Sequence, residues 1–344
     1  MSFSPRQCVP DLEFNGKKVN TELDGYLQSV KYTDIADGES DTIDITLQNI
    51  EKRWLKGWWP KKKDVIDAKL KFKNWYESGD ASVLRCGRFT LDDVSYSGGP
   101  LVCEMSGIAV PKSSKFQSRK RTQTWKGVTV KQIGQRIAKR YNLGFRYDAK
   151  QIKVEKLEQS EEEDCSFLKK LAEKYDLGMK IYRNKIVLWD KGRYERRKPI
   201  AYISRRQWVD DDWKFESSLD GVYTGCLITY KDSKSSKKDL NVYVGLKAKN
   251  AKGARTLKIN ESCSSAAEAR QKAAAKVNES NTKAMTLEGT IFPNPKICSG
   301  CTVRVTGIGR GNGKYFVDKM TLEVSDSETV QKLEMHKVQK RCKA

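Results

Sequence analysis

Cys298-Ser-Gly-Cys301 has the spacing of a zinc-binding or thiol–disulfide pair. A structural zinc needs four ligands, and the chain offers no second CxxC and a single histidine, His336. A thioredoxin-like pair opens a helix after a strand, whereas this one follows Pro295 and precedes a β run. The expectation is loop cysteines, with no metal and no cofactor. One histidine also argues against a Ser-His-Asp or Cys-His centre. Asp92-Asp93 and Asp210-Asp211-Asp212 place carboxylates side by side. Adjacent strand residues point to opposite faces and cannot flank one bond, so turn chemistry is expected for both. Gly307-Ile-Gly-Arg-Gly-Asn-Gly313 looks like a phosphate loop but has strands on both sides and no closing Lys-Ser/Thr. It reads as a hairpin turn. Nothing assembles an acid, a base, a nucleophile and an oxyanion donor, so no catalytic residue is assigned and no enzyme is expected. Trp54, Trp58 and Trp59 suit a core or an interface.

Those residues need a scaffold, and the composition bounds it. The chain has 344 residues, with 66 Lys+Arg against 44 Asp+Glu and a net charge of +22. Hydrophobic residues are 38% and charged residues 32%, enough to fold and too charged for an integral membrane protein. No apolar run approaches the roughly 20 residues of a bilayer span. The start, Met1 to Cys8, lacks the apolar stretch of a secretory signal, so Sec export is not expected. Nine scattered cysteines, an odd number, predict reduced thiols rather than a disulfide framework. The basic excess permits nucleic acid, an anionic membrane or acidic protein partners. It runs along the whole chain, denser at Lys61–Lys63, Arg119–Arg121, Arg193–Lys198 and Lys337–Lys343. No nucleic-acid module is recognisable, so specific nucleic-acid binding is not expected.

The pattern predicts an α+β protein, mainly β: two small β-barrel-like domains with an inserted α/β domain. Residues 1–110 read as the first β domain. Ile43, Ile45 and Leu47 alternate, as do Ile66, Ala68, Leu70 and Phe72. Glu51–Trp59 reads as one or two helical turns stopped by Pro60. Residues 111–124 read as a basic linker and 125–190 as the inserted domain. There Val130, Ile133, Ile137 and Tyr141 mark one helical face, capped by Thr129 with Gln132. A second helix, about 161–175, turns Cys165, Leu168, Leu171, Ala172 and Tyr175 inward. Both helices close alike, on Tyr141-Asn-Leu-Gly144 and Tyr175-Asp-Leu-Gly178, and a strand follows each. Residues 191–335 read as the second β domain with a helix at about 265–278, and 336–344 as a basic tail.

Four stretches in order carry a family resemblance. Asp41-Thr-Ile-Asp…Leu47…Trp54-Leu…Trp58-Trp-Pro60 is followed by Cys86-Gly-Arg-Phe-Thr-Leu-Asp-Asp-Val…Ser97-Gly-Gly-Pro100. Then come Trp125-Lys-Gly-Val-Thr-Val through Cys165-Ser-Phe-Leu…Gly178, and Gly313-Lys-Tyr-Phe-Val-Asp-Lys319. Together they resemble the phage late control protein D family, whose fold the N-terminal half of VgrG proteins shares. The resemblance implies a baseplate hub protein of a contractile tail: a phage, a phage-tail-like bacteriocin (tailocin) or a related injection system. It implies a homotrimer whose six barrels form a ring between a sixfold tail tube protein and a threefold spike protein. Other baseplate proteins and the tape-measure protein would be neighbours. The place implied is the baseplate of a virion or tail particle, assembled in the bacterial host cytoplasm. The expected wall comprises strands of 26–108 and 222–335, with 125–190 outside. Interface candidates are Trp54, Trp58, Trp59, Phe89, Asp92, Asp93, Tyr315 and Phe316. A DNA-passing bore should not be strongly basic, so the excess charge is expected outside it or at protein joints. The alternatives are a peptidoglycan-binding tail protein, since 125–190 is reminiscent of LysM-type glycan binders, and a tail-associated cell-wall hydrolase.

Overall fold

Period-two patterning builds most of the molecule. Ile43, Ile45 and Leu47 are buried on one face of their strand, and Ile66, Ala68, Leu70 and Phe72 on one face of theirs. The computed structural model describes residues 5–19, 23, 25–109, 115–231 and 239–344. The N-terminal strands are β1 (Gln7–Phe14), β2 (Lys17–Lys18), β3 (Leu27–Ile35), β4 (Thr42–Gln48), β5 (Val65–Lys73), β6 (Ala81–Gly98) and β7 (Leu101–Ile108). The central part comprises α1 (Lys115–Ser118), β8 (Lys120–Thr129), α2 (Val130–Arg140), β9 (Gly144–Asp148), β10 (Lys153–Glu163), α3 (Asp164–Lys174), β11 (Leu177–Tyr182), β12 (Lys185–Asp190) and α4 (Lys191–Glu195). The C-terminal part holds β13 (Ala201–Ile203), β14 (Trp208–Ser217), β15 (Gly225–Lys231), β16 (Asp239–Gly245), β17 (Thr256–Asn260), α5 (Ala266–Thr282), β18 (Met285–Ile291), β19 (Thr302–Val305), β20 (Gly313–Ser325) and β21 (Thr329–Lys337). No helix among the described residues is long and apolar enough to cross a membrane.

The mainly β, α+β class is as expected, and the two barrel-like domains need one amendment. They share a single 13-stranded sheet, in the order β14-β18-β21-β20-β3-β4-β7-β6-β5-β1-β2, with β19 and β13 branching from β20. They also share one hydrophobic core, from Leu12 through Phe89 to Tyr315 and Met335. The joint is β20. One of its edges pairs with β21, while the other pairs first with β19 at Gly313–Phe316 and then with β3 at Lys319–Ser325. A register shift between Val317 and Lys319 marks the change of partner.

The central helices form as patterned. Thr129 and Gln132 make a full capping box at α2. Asn142 and Asp176 adopt left-handed backbone (φ 54° and 58°) and stop α2 and α3. The glycines beyond them serve packing instead: a Cβ on Gly178 would sit 2.3 Å from the Trp189 ring. Residues 111–114 of the expected linker lie outside the described residues. The remainder is structured, because Phe116 is fully buried beside Tyr141 and Lys120 already begins β8. Glu51–Trp59 shrinks to a single 3-10 turn, Arg53–Leu55, since only Trp54 of that stretch is buried. The C-terminal part is itself interrupted: β15–β17 and α5 close a separate core around Ile228, Tyr230, Ala269, Ala273 and Val277.

Candidate assembly surface and its anchoring

Of the residues nominated for an interface, four reach solvent. Trp58 is 37% exposed and Trp59 55%, and Asp92 and Asp93 are both exposed. The other four are corrections. Phe89 and Tyr315 are wholly buried in the shared core, where the Tyr315 hydroxyl donates to the Gly311 carbonyl at 2.5 Å. Phe316 is buried between the Trp189 and His336 rings, and Trp54 is the buried anchor of its loop. For Phe89 and Tyr315 the alternation of their strands had already turned them inward, whereas Phe316 is buried on the opposite face of β20 and Trp54 lies in the 3-10 turn. Asp92 and Asp93 are exposed together because a register shift between Leu91 and Asp93 interrupts that alternation. Asp210–Asp212 likewise lie in a bulge of β14 rather than a turn, with Asp210 and Asp211 at φ 51° and 53°. Gly307–Gly313 is the expected hairpin connection, between β19 and β20.

The tryptophan loop is a built platform. The Trp54 indole N–H donates to the Gln48 carbonyl (3.2 Å), and the Tyr96 hydroxyl donates to the Trp54 carbonyl (3.0 Å). Trp58 packs edge-on against Trp54 and Tyr26, and Trp59 stacks on Tyr96 at 5.3 Å. The Arg53 guanidinium lies over both the Tyr26 and Trp58 rings. Ile50 and Leu55 add exposed apolar area, and Lys52, Lys56 and Lys61–Lys63 are exposed nearby in sequence. Rigid aromatics with a cationic rim suit a partner that brings apolar anchors and carboxylates. Among the described residues, β14 pairs only with β18 and β13 only with β19, so each leaves one strand edge without a partner strand.

Two ionic clusters, which the sequence analysis did not find, hold the central part to the sheet. At the first, Lys180 of β11 pairs with Asp34 and donates to Asp41 Oδ1 (2.9 Å), the Ile35 carbonyl (2.8 Å) and Ser299 Oγ (3.2 Å). Burial works against its charge, but Asp34 and Asp41 outweigh it and raise its pKa. Burial pushes the Asp41 carboxyl up to about 6 against the pull of Lys180. At the second, His336 of β21 contacts Asp318 through Nδ1 (2.8 Å) and Glu195 through Nε2 (3.2 Å). Burial opposes protonation of this ring, yet the two carboxylates raise its pKa to about 9. Both nitrogens therefore donate, as an imidazolium. Arg341 pairs with Glu195 and Asp176, so the expected basic tail is in part docked: Cys342 is buried and exchanges hydrogen bonds with Asn278 of α5. A lysine inside an otherwise apolar strand and a lone histidine were the available signals for these clusters.

The chain is 23% identical over 233 residues to the probable baseplate hub protein of Escherichia phage 186, a match covering 66% of this chain and 57% of that protein. It is 26% identical over 235 residues to the probable baseplate hub protein of Escherichia phage P2, covering 67% and 58%. The chain thus spans under three fifths of the length of the curated relatives it matches. No family model matches. Among solved structures, the 43 kDa tail protein of prophage MuSo2 from Shewanella oneidensis superposes with a TM-score of 0.71 at 12% identity, over 96% of this chain and 98% of that one. An Escherichia coli component of the type VI secretion system, itself structurally similar to tail proteins of bacteriophage T4, superposes with a TM-score of 0.54 at 11% identity, over 92% and 74%. As its resemblance to the late control protein D family implies, the chain is related in sequence to phage baseplate hub proteins and has the fold of phage tail proteins.

Proposed function

We propose that the chain is a structural hub of a contractile-tail baseplate, in a phage, a tailocin or a related injection system, and not an enzyme. Three copies close a ring whose six β units meet a sixfold tube on one side and a threefold spike on the other. The observation that carries this reading is the fusion of two β halves into one sheet and one core. A chain built this way presents two wall segments in fixed relation, and a threefold axis turns them into six. The strand edges of β13 and β14 suit main-chain pairing with a neighbouring copy. The platform of Trp58 and Trp59 suits an acidic-rimmed tail partner. Other baseplate proteins and the tape-measure protein are further neighbours in this reading, and the baseplate is its location.

Size-exclusion chromatography with light scattering should give a trimer at high concentration or with the spike protein present. A monomer in the presence of spike overturns the reading. Trp59→Glu should lower the assembled fraction while changing unfolding stability by no more than about 0.5 kcal/mol, because the ring is mostly outside the core.

A further inference from the structure

All nine cysteines are free, and eight of them have thiol pKa values raised above the usual range, with burial a cause in each. Cys298 is the exception: its hydrogen bond with Cys301 outweighs burial and lowers it. Geometry sets this pair apart as well. Cys298 and Cys301 sit on one turn, closed by the Cys301 N–H to the Cys298 carbonyl (3.4 Å), with Gly300 in the left-handed region at φ 78°. The turn is pinned on both sides. Ser299 donates to Asp34 through its N–H (2.8 Å) and its hydroxyl (2.7 Å), and Gly300 donates to the Val317 carbonyl (2.8 Å). Both cysteines are half-buried and line an open cleft of about 580 Å³ between the sheet and the central part. Lys180 lies in its wall paired with Asp34, and Arg85, Arg197 and Lys198 give the wall its cationic excess.

We propose that Cys298 and Cys301 are a dithiol–disulfide couple reached through this cleft, and that it accepts small anionic disulfides. The thiolate of one of the pair attacks one sulfur of R–S–S–R; that bond breaks, and the departing R–S⁻ takes up the proton that this cysteine gave up. The other cysteine then loses its proton and attacks the protein sulfur of the mixed disulfide, which releases the second R–SH. The small disulfide is reduced to two thiols, and the protein is oxidised by two electrons to a Cys298–Cys301 disulfide. The cationic wall favours a carboxylate-bearing disulfide such as oxidised glutathione. The new bond ties the turn that carries Ser299, and so stiffens the contact between Asp34, Ser299 and Lys180.

The test is to treat the folded full chain with oxidised glutathione, block the remaining thiols and map the peptides by mass. The expected product is a disulfide between 298 and 301, with the other seven cysteines blocked as free thiols and a higher thermal midpoint. Either single variant, Cys298→Ser or Cys301→Ser, should stop at a glutathione adduct on the cysteine that remains. Both variants are first checked for wild-type circular dichroism, and Cys298→Ala with Cys301→Ala replaces either one that fails. Preferential reaction at other cysteines, or absence of the disulfide under excess oxidised glutathione, overturns the proposal.

Discussion

On one side of the central part, Lys180 reaches into the sheet and stands between Asp34 and Asp41; on the other, His336 and Arg341 reach from the sheet and its C-terminal extension toward Glu195 and Asp176. Both junctions solve one problem, the fastening of an inserted unit to a wall of different architecture, but with different groups. The first shares a single ammonium between two carboxylates. The second uses a guanidinium and an imidazolium, and the imidazolium loses its charge as pH rises through about 9. Both lose stability as pH rises, and the Asp41 and His336 contributions go in separate windows. Asp41 has a raised pKa, so its protonated form supports folding below about 4 and that contribution is lost as pH rises through about 6. At the second junction burial raises Asp176 as well, so its contribution is likewise lost as pH rises. The His336 contribution is complete below 6.5 and is lost as pH rises through about 9.

The largest effect should come from removing the shared ammonium. Lys180→Met leaves Asp34 and Asp41 buried with no cation between them. Breaking a buried pair from one side costs about 3–5 kcal/mol. Urea unfolding at pH 7 should show that loss, and the gap from wild type should narrow toward pH 4 as Asp41 takes up a proton. A gap that does not change with pH would show that packing of the lysine stem, rather than charge, holds this junction.

The second effect belongs to the histidine. Wild-type stability should fall between pH 6.5 and 9, and His336→Gln should flatten that fall. A rise of the His336 pKa from 6.5 to about 9 bounds the contribution at roughly 3 kcal/mol, at about 1.4 kcal/mol per pKa unit. Urea midpoints across this range measure it. If the variant keeps the wild-type slope, the neutral-to-alkaline window belongs to another group and the contrast between the two junctions fails.

The elements of both junctions were legible in the sequence, and their meeting was not. Alternation in 42–48 and 65–73 placed Ile43 and Phe72 inward, and Thr129 with Gln132 placed the start of α2, because those signals are local. The same alternation should have put Phe89 and Tyr315 in the core; both stand in phase with buried neighbours, Leu91 and Val317. Pairing of 319–325 with 29–35 has no local signature, since strand partners far apart in the chain are chosen by the finished sheet. Lys180 lies 146 residues from Asp34, and Arg341 lies 146 from Glu195. Outward positions on strands normally meet water, so period-two reading assigns such charges to solvent.

The smallest effect tests whether the C-terminal extension orients the second junction or merely lies beside it. Asn278, buried in α5, donates to Asp176 Oδ2 (2.9 Å) and to the Cys342 carbonyl (3.1 Å), and accepts from the Cys342 N–H (2.7 Å). It therefore fixes both the residue after Arg341 and one of the carboxylates that Arg341 grips. Asn278→Ala should cost about 1–3 kcal/mol, because it leaves buried backbone groups without partners. If the extension orients Arg341 against Glu195, and Glu195 in turn holds the His336 charge, the loss should overlap with that of His336→Gln. The double variant should then fall short of the sum of the singles by about 0.5 kcal/mol or more at pH 6.5. The overlap should vanish at pH 9.5, where the imidazolium is mostly neutral in wild type. Strict additivity at both pH values would make the extension an independent clasp, leaving the histidine to hold its side of the central part alone.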